Sequence, residues 1–347
     1  MSATFSEVFG DNPLHLHRTI PLDFLSVKTV PDSHVWPKSG DDLEYSDDVF
    51  SIPLIDLKNP DAANQIEKAC ETWGVFQVTN HNVPLDLLQE VESKARSLFS
   101  LPFEQKLKAL RTPGASTGYG VARISPFFNK YLWHEGFTVV GSPVDHARKL
   151  WPYSHQLFCD VIDDYQKKMK ELARTLVQTI LNSLGIISED EDIMNRMCSP
   201  ENVNTALQLN SYPSCPDPNR AMGLAPHTDT SLLTILHQSS TKGLQLFKEG
   251  VGWVWVRPIN GALVVNIGDF LHILSNAKFP AVLHRVVMQE AKQRLSMAYF
   301  YSPPSDFRVS PLVLDSGQTP SYRSISVGEY IRFKAKDPDS ALSEIRI

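Results

Sequence analysis

The stretch that decides the fold is residues 204–238, which read NTALQLNSYPSCPDPNRAMGLAPHTDTSLLTILHQ. Residues 206–212 and 232–238 are short β-type runs, and the segment between them is rich in the turn-forming residues proline, glycine, asparagine and aspartate. From Asn204 onward the chain keeps this texture of short strand-like runs punctuated by turns. The pattern of the C-terminal half therefore predicts a β-rich core.

Further runs of the same kind follow this stretch. They occupy residues 244–247, 253–256, 262–267, 271–274, 282–288 and 295–301. About eight short strands at this spacing are typical of a sandwich or jelly roll. Because the sequence has no internal repeat, we expect a single catalytic β-core and not an array of units.

The residues before this core predict a mixed α/β layer packed on it. Residues 1–50 are irregular and in part acidic, typical of an extended arm. A long helix is predicted from about residue 154 to 184, with Gly185 just past its end. Residues 112–153 lack a clean period, which favours a long loop or a set of short pieces of the kind that often line sites. We predict four segments: an extended N-terminal arm (1–50), a mixed α/β and helical layer (51–200), the β-core (201–335) and a C-terminal tail (336–347).

Composition excludes several classes of protein. The formal net charge of -6 argues against a nucleic-acid binder, which would carry a basic footprint. The four cysteines stand singly along the chain, which favours free thiols in a reducing compartment. The longest apolar runs have the length of a strand and fall far short of a membrane span. We expect a monomeric cytoplasmic enzyme that acts on a small molecule.

Three residues form a candidate metal site. His227 and Asp229 stand at positions i and i+2, and in an extended segment such side chains point to the same side. His284 follows 55 residues later in another strand-like run. Two imidazoles and one carboxylate form the facial triad of non-haem iron oxygenases. A zinc hydrolase could use the same set around a bound water, so the triad alone leaves the metal open.

A second group of polar residues favours iron. Arg294 and Ser296 lie shortly after His284, again at i and i+2, and together they suit a carboxylate ligand, to which arginine can bind in a bidentate manner. Asn210 and Tyr212 add two polar side chains that face one way on a neighbouring strand. A cosubstrate that chelates iron at one end and carries a distant carboxylate would use both groups. A zinc hydrolase has no evident use for the arginine and serine pair.

These residues resemble the plant iron(II)- and 2-oxoglutarate-dependent dioxygenases. The matching blocks are Leu209-Asn210-Ser211-Tyr212-Pro213, residues 223–229, 243–246, 263–269 and 273–276, His284-Arg285-Val286, and Arg294-Leu295-Ser296, with residues 52–56 and 73–81 nearer the N-terminus. The resemblance implies a mainly β fold with flanking helices, in which 201–335 form a double-stranded β-helix (jelly roll). It implies that His227, Asp229 and His284 bind Fe(II). It also implies that Arg294, Ser296, Tyr212 and Asn210 bind 2-oxoglutarate, with O2 as oxidant and ascorbate as reductant.

A narrower resemblance concerns the substrate. Residues 118–124, 127–130, 133, 135–137, 146–152, 250–254 and 298–304 are similar to the gibberellin 3β-hydroxylase subgroup. That subgroup hydroxylates C3β of gibberellin precursors to bioactive gibberellins and releases succinate and CO2. Tyr119, Arg123 and Tyr131 are the candidate contacts of the gibberellin carboxylate or lactone, although Arg123 could equally be an ion-pairing loop residue. Another plant 2-oxoglutarate oxygenase (a gibberellin 2- or 20-oxidase or a flavonoid oxidase) and a non-catalytic hormone-binding protein are the alternatives.

Overall fold

The structure is a computed structural model that describes residues 20–37, 51–112, 114–186, 191–199, 201–288, 292–312, 319–338 and 340–347. The predicted N-terminal arm falls largely outside these residues. The strands are β1 (Leu54–Asp56), β2 (Val75–Thr79), β3 (Gly118–Gly120), β4 (Glu135–Val139), β5 (Asn204–Tyr212), β6 (Met222–His227), β7 (Leu233–Gln238), β8 (Leu244–Lys248), β9 (Gly252–Trp255), β10 (Leu263–Ile267), β11 (His284–Val287), β12 (Arg294–Ser302), β13 (Arg308–Val309) and β14 (Ile325–Ser326). The helices are α1 (Ala62–Thr72), α2 (Leu85–Phe99), α3 (Phe103–Leu107), α4 (Val144–Leu150), α5 (His155–Ser183), α6 (Glu191–Cys198), α7 (Asp269–Leu274) and α8 (Val327–Lys334).

Two sheets form the centre of the molecule. Within the described residues the larger sheet has the strand order β1-β2-β10-β7-β12-β5-β4-β3, and the smaller one has the order β6-β11-β8-β9. All neighbouring strands of these two sheets pair in antiparallel fashion except β1 and β2. The prediction of a mainly β jelly-roll core with flanking helices is confirmed.

Strand β12 shows why the large sheet has two different faces. Its odd positions Leu295, Met297 and Tyr299 belong to the main apolar core, while its even positions from Arg294 to Ser302 point the other way, into a cavity between the sheets. This alternation follows from the two-residue period of a strand. One face of the sheet is therefore free to carry polar and functional groups while the other holds the fold together.

The helical layer covers the core face of the large sheet. The long helix α5 spans His155–Ser183, close to its predicted range, and its buried side chains recur at helical spacing (Ile162, Tyr165 and Met169 among them). Helices α1, α2 and α4 pack against α5. Strands β1 to β4, which precede residue 200, join both edges of the large sheet, so residues 51–200 and 201–335 share one sheet.

One sequence-based expectation needs correction. Residues 271–274 were expected to form a strand, but they lie in the short helix α7, because so short a run, with three apolar residues among its four, fits a buried helical turn as well as a strand. The irregular segment 112–153 is a set of short pieces, which was one of the two alternatives expected, and contains strands β3 and β4 and helix α4. Its glycine and proline residues masked these short elements. None of the helices in the described part of the chain combines the length and apolar character of a membrane span.

Candidate metal and cosubstrate site

A cavity of about 590 Å³ lies between the two sheets. The large sheet supplies alternate residues of β5, β7 and β12, and the small sheet supplies residues of β6, β8 and β11. Helix α8 adds Ile331 and Lys334, and Pro338 follows from the segment predicted as a C-terminal tail. This volume is in the range that binds small organic molecules.

Strand pairing brings the three predicted metal ligands together. His284, the first residue of β11, stands directly opposite His227, the last residue of β6, and their ring centroids are 4.2 Å apart. Asp229 lies just beyond β6, in a loop and not in the strand as expected. Its Oδ1 is nevertheless 3.8 Å from Nε2 of each imidazole. The candidate ligand atoms of all three residues lie within 4.8 Å of one another.

The hydrogen bonds of the two histidines leave the correct nitrogen free. Nδ1 of His227 lies 2.8 Å from the Ala225 carbonyl, and Nδ1 of His284 lies 3.1 Å from the Val282 carbonyl. Since a carbonyl can only accept, each Nδ1 must donate, which leaves each Nε2, on the side of Asp229, as the nitrogen that can bind a metal. A carbonyl on the far ring nitrogen is the usual support of a metal-binding histidine.

The protonation states also suit a cation. Burial and the neighbouring His284 lower the pKa of His227 to about 3, so its imidazole is neutral at neutral pH. Burial opposes ionisation of Asp229, but the two imidazoles and the Thr234 hydroxyl outweigh it and hold the pKa of that carboxyl below its usual value. Two imidazoles and one carboxylate fit a divalent iron ion, with room left for other ligands.

The loop that carries Asp229 is fixed at both ends. The backbone carbonyl of Asp229 accepts a hydrogen bond of 2.8 Å from the Asp269 backbone amide. The ammonium of Lys334, on α8, donates to the carbonyl and hydroxyl oxygens of Thr228, at 2.9 and 2.7 Å, and also to the Asp269 carboxylate. Gly268 allows this close packing, because a Cβ there would meet the Ser231 carbonyl oxygen at 2.0 Å. The candidate ligand Asp229 is therefore held by contacts on both sides of the loop.

The predicted cosubstrate residues meet at one end of the cavity. Arg294 stands opposite Tyr212, and Ser296 stands opposite Asn210 on one side and Gln238 on the other. Four of these five residues line the cavity. The fifth, Gln238, lies beside it, and its side-chain oxygen accepts a hydrogen bond of 3.0 Å from Arg294 Nη2. The antiparallel register of β5, β12 and β7 thus assembles a polar cluster from three strands.

Arg294 is a buried cation that suits an anionic ligand. Its side chain is 3% exposed, and its guanidinium carbon lies 5.1 Å from the centre of the Tyr212 ring. Among the described residues no carboxylate forms an ion pair with it, and its Nε has no hydrogen-bond partner. Gly243 leaves the space for its side chain, because a Cβ there would meet Arg294 Cδ at 2.7 Å. A buried charge without a counter-charge is costly, so a carboxylate ligand would be bound strongly here.

The three predicted substrate contacts have different surroundings. Arg123 lines the cavity, and its Nη2 donates to the Ser116 carbonyl at 2.6 Å. Tyr119 does not line it, because its hydroxyl donates to the buried carboxylate of Glu135 at 2.6 Å behind the wall. Tyr131 packs outside the cavity, where its ring stacks on His34 with 5.4 Å between centroids. The structure therefore brings only Arg123 of the three to the site.

Sequence reasoning missed three polar residues of this region. Gln238 holds Arg294, Lys334 holds the Asp229 loop, and Arg111 is a buried cation in the cavity wall. Gln238 ends a predicted strand at an alternate position, so the period of β7 could have indicated it. Nothing in the sequence around Arg111 or Lys334 distinguishes them from ordinary surface cations.

A jelly roll that carries this triad beside a buried guanidinium has the arrangement of a non-haem iron oxygenase. Residues 203–303 match the family model described as 2OG-Fe(II) oxygenase superfamily, and residues 52–155 match that described as non-haem dioxygenase in morphine synthesis N-terminal. Gibberellin 3-beta-dioxygenase 1 of Arabidopsis thaliana is 49% identical, with 100% of this chain and 99% of the relative covered. The protein of the same name from Pisum sativum is 48% identical, with 99% and 94% covered.

Solved structures with a similar fold support the same family. JOX2 in complex with 2OG, Fe and JA has a TM-score of 0.79 at 30% identity, over 93% of this chain and 95% of that one. The dioxygenase for auxin oxidation in rice has a TM-score of 0.70 at 27% identity, over 86% and 100%. The chain belongs to the 2OG-Fe(II) oxygenase superfamily. The predictions of the family, of a dioxygenase and of Fe(II) with 2-oxoglutarate are confirmed.

Proposed function

We propose that this enzyme hydroxylates C3β of gibberellin precursors, with His227, Asp229 and His284 holding Fe(II). Arg294 and Ser296 bind the distal carboxylate of 2-oxoglutarate, and Tyr212 and Asn210 complete that end of the pocket. The similarity to gibberellin 3-beta-dioxygenases extends over the whole chain, which supports the substrate class. It also counts against a gibberellin 2- or 20-oxidase and a flavonoid oxidase.

The observation that carries this proposal is that one cavity holds both the triad and the buried guanidinium of Arg294. With iron and 2-oxoglutarate bound, the site can use O2 to hydroxylate a C–H bond and to release succinate and CO2. The protein need not act as an acid or a base toward the substrate in this reaction. A zinc hydrolase would have no use for an anion site at this position.

The task of the chain is to position its ligands and keep water out. The two histidines are fixed by backbone carbonyls, so their lone pairs need no reorganisation on binding the metal. Arg294 is fixed by Gln238 and by the Tyr212 ring, which sets the direction of the cosubstrate. Such fixed positions supply much of the rate acceleration of an enzyme.

The remaining wall suits a rigid apolar molecule. Ile124, Phe127, Leu224, Phe300 and Ile331 supply large apolar surfaces that face the cavity. A gibberellin is a rigid apolar diterpenoid with a carboxylate, and it needs such a wall together with a cation. Arg123 lines the same cavity, and this position supports it as a contact of the substrate acid.

We also propose that the enzyme works as a monomer in the cytoplasm. All four cysteines (Cys70, Cys159, Cys198 and Cys215) are free thiols and buried, which agrees with a reducing compartment. Light scattering of the purified protein tests the monomer, and imaging of a tagged protein in plant cells tests the compartment.

The function is tested by the succinate that forms with Fe(II), ascorbate, 2-oxoglutarate and a panel of gibberellin precursors. We expect succinate to form well above the level without substrate for at least one gibberellin that lacks the 3β-hydroxyl group. The Asp229→Ala variant should abolish this increase. A wild-type enzyme that forms no extra succinate with any gibberellin would contradict the proposed function.

A further inference from the structure

A second cationic region lies in the cavity wall, away from Arg294. It is formed by Arg111, whose side chain is 2% exposed, and by Arg123. The positive charge of Arg111 contributes to lowering the pKa of Arg123, after the larger effect of burial, so the two groups are electrostatically coupled. These two arginines are referred to below as the Arg111 pair.

The backbone holds Arg111 rigidly. Its amide donates to the Tyr119 carbonyl at 2.8 Å, and the Tyr119 amide donates to the Ala109 carbonyl at 2.8 Å. Gly118 makes this contact possible, since its φ is +130° and a Cβ there would meet the Ala109 oxygen and Arg111 Cα at 2.9 Å. The segment before Gly118 is therefore joined to β3 by an isolated parallel β-bridge.

The charge of Arg111 faces neutral groups. Its Nη1 lies 3.3 Å from the Thr138 hydroxyl, and its Nη2 donates to the Val121 carbonyl at 2.9 Å. No carboxylate among the described residues forms an ion pair with Arg111. Burial lowers the pKa of Arg111 to about 10 and that of Arg123 to about 9, which leaves both cationic at neutral pH. A buried guanidinium of this kind favours an anionic ligand.

The strand register separates this region from the cosubstrate end. Thr138, which contacts Arg111, stands opposite Gln208 on β5, whereas Arg294 stands opposite Tyr212 on the same strand. Four residues of a strand span about 13 Å. The two cationic regions therefore lie too far apart to share one carboxylate, and apolar side chains such as Phe300 and Leu224 line the cavity with them.

We infer that the Arg111 pair binds the carboxylate of the apolar substrate and so sets its direction in the cavity. For the identity of the acid as a gibberellin, this inference rests on the proposed function. If Arg111 binds the substrate carboxylate, the apolar body of the substrate lies along the cavity wall and extends toward the triad. Arg294 would remain available to 2-oxoglutarate.

The experiment compares a gibberellin that carries its free carboxylate with the methyl ester of the same gibberellin. With wild-type enzyme we expect the KM for the ester to exceed that for the acid by about 10- to 100-fold, the value of a buried charged hydrogen bond. The Arg111→Gln variant should raise the KM for the acid to a similar extent, while the KM for the ester and the KM for the cosubstrate stay nearly unchanged. Arg123→Gln should act in the same direction.

Controls separate this anchor from a structural role of Arg111. Arg96→Gln, on the exposed face of α2, should change no KM. If Arg111→Gln does not fold, Arg111→Lys and Arg123→Gln replace it, and the wild-type comparison of acid and ester stands by itself. Equal KM values for acid and ester in the wild type, or an equal rise for both in the variants, would overturn the anchor while leaving the proposed function intact. Absence of any gibberellin turnover by the wild type would instead overturn the proposed function.

Discussion

Arg294 and Tyr212 stand directly opposite one another on the antiparallel strands β12 and β5, with the guanidinium carbon 5.1 Å from the centre of the phenol ring. The ring shields one face of the cation, and Gln238 accepts a hydrogen bond from its edge. Register thus brings two residues that are 82 positions apart to one side of the candidate anion site. The same pairing repeats two residues along, where Ser296 meets Asn210.

Arg294→Lys keeps the charge but removes the planar fork that can hold a carboxylate by two hydrogen bonds. We expect the KM for the cosubstrate to rise about 10- to 100-fold, with the iron affinity unchanged. Steady-state kinetics with 2-oxoglutarate varied at saturating gibberellin measures this. Arg96→Gln is the control, and an unchanged KM in the lysine variant would remove Arg294 from the cosubstrate site.

Gly243→Ala should reach the same site indirectly. The added Cβ would lie 2.7 Å from Arg294 Cδ and 3.2 Å from the Val287 carbonyl oxygen, so the guanidinium must move. Overpacking of this kind costs at least about 1 kcal/mol, and we expect the KM for the cosubstrate to rise about 10-fold. A thermal unfolding curve shows whether the fold is retained. A folded variant with wild-type KM would mean that the position of Arg294 is not critical.

Asp229→Ala should lower the Fe(II) affinity by more than about 100-fold, because it removes the only anionic member of the triad. Anaerobic equilibrium dialysis measures the bound iron without any need for turnover. His237→Gln is the matched control, since His237 is also a buried histidine of the core but does not line the cavity. Wild-type iron content in Asp229→Ala would exclude the triad as the metal site.

Stability should fall as the pH drops below neutrality. Burial lowers the pKa of both His134 and His237 from 6.5 to about 4. Between these values the unfolded chain binds a proton at each site that the native protein does not, so the free energy of unfolding decreases with falling pH. Each group contributes about 1.4 kcal/mol per pH unit.

Urea unfolding of the metal-free protein at pH 6.0 and 5.0 measures this slope. We expect His237→Gln to make the slope smaller by about 1.4 kcal/mol per pH unit, because the proton-binding difference at this site is gone. An identical slope in the variant and the wild type would show that the native His237 titrates normally.

Lys106 and Glu135 form a buried ion pair of 2.6 Å beneath the cavity wall, and the Tyr119 hydroxyl donates to the same carboxylate. Lys106→Met should lower the free energy of unfolding by about 3 to 5 kcal/mol, because it leaves Glu135 buried without its cation. Lys106→Met combined with Glu135→Gln should recover part of this loss. Urea unfolding compares the three proteins, and a double variant less stable than the single one would contradict this explanation.

The sequence predicted most of the fold because the strands alternate cleanly and the long helix has a clear apolar stripe. It placed His284, Arg294 and Ser296 on strand-like runs, where the structure has them, but the runs that it indicated did not include β6, which ends at His227. It did not predict helix α7, since a run of four residues is too short to show a period that distinguishes a turn of helix from a strand.

Contacts between distant elements could not be predicted from the sequence. Tyr119 and Tyr131 were expected to contact substrate, but which side of a short irregular segment faces the cavity depends on packing against β4 and residues 20–37. Arg111 owes its burial to β3, and Lys334 owes its position to contacts with the Asp229 loop. The local sequence pattern does not indicate such partners.

The product formed by the wild-type enzyme tests the proposed function most directly. Incubation of a gibberellin precursor with Fe(II), ascorbate, 2-oxoglutarate and O2, followed by mass spectrometry and NMR, gives both the added mass and its position. We predict one added oxygen atom, a hydroxyl at C3 in the β orientation, and one succinate for each product molecule. A hydroxyl at another carbon would contradict the proposed position of the substrate, and 2-oxoglutarate use without any oxidised gibberellin would contradict the proposed function.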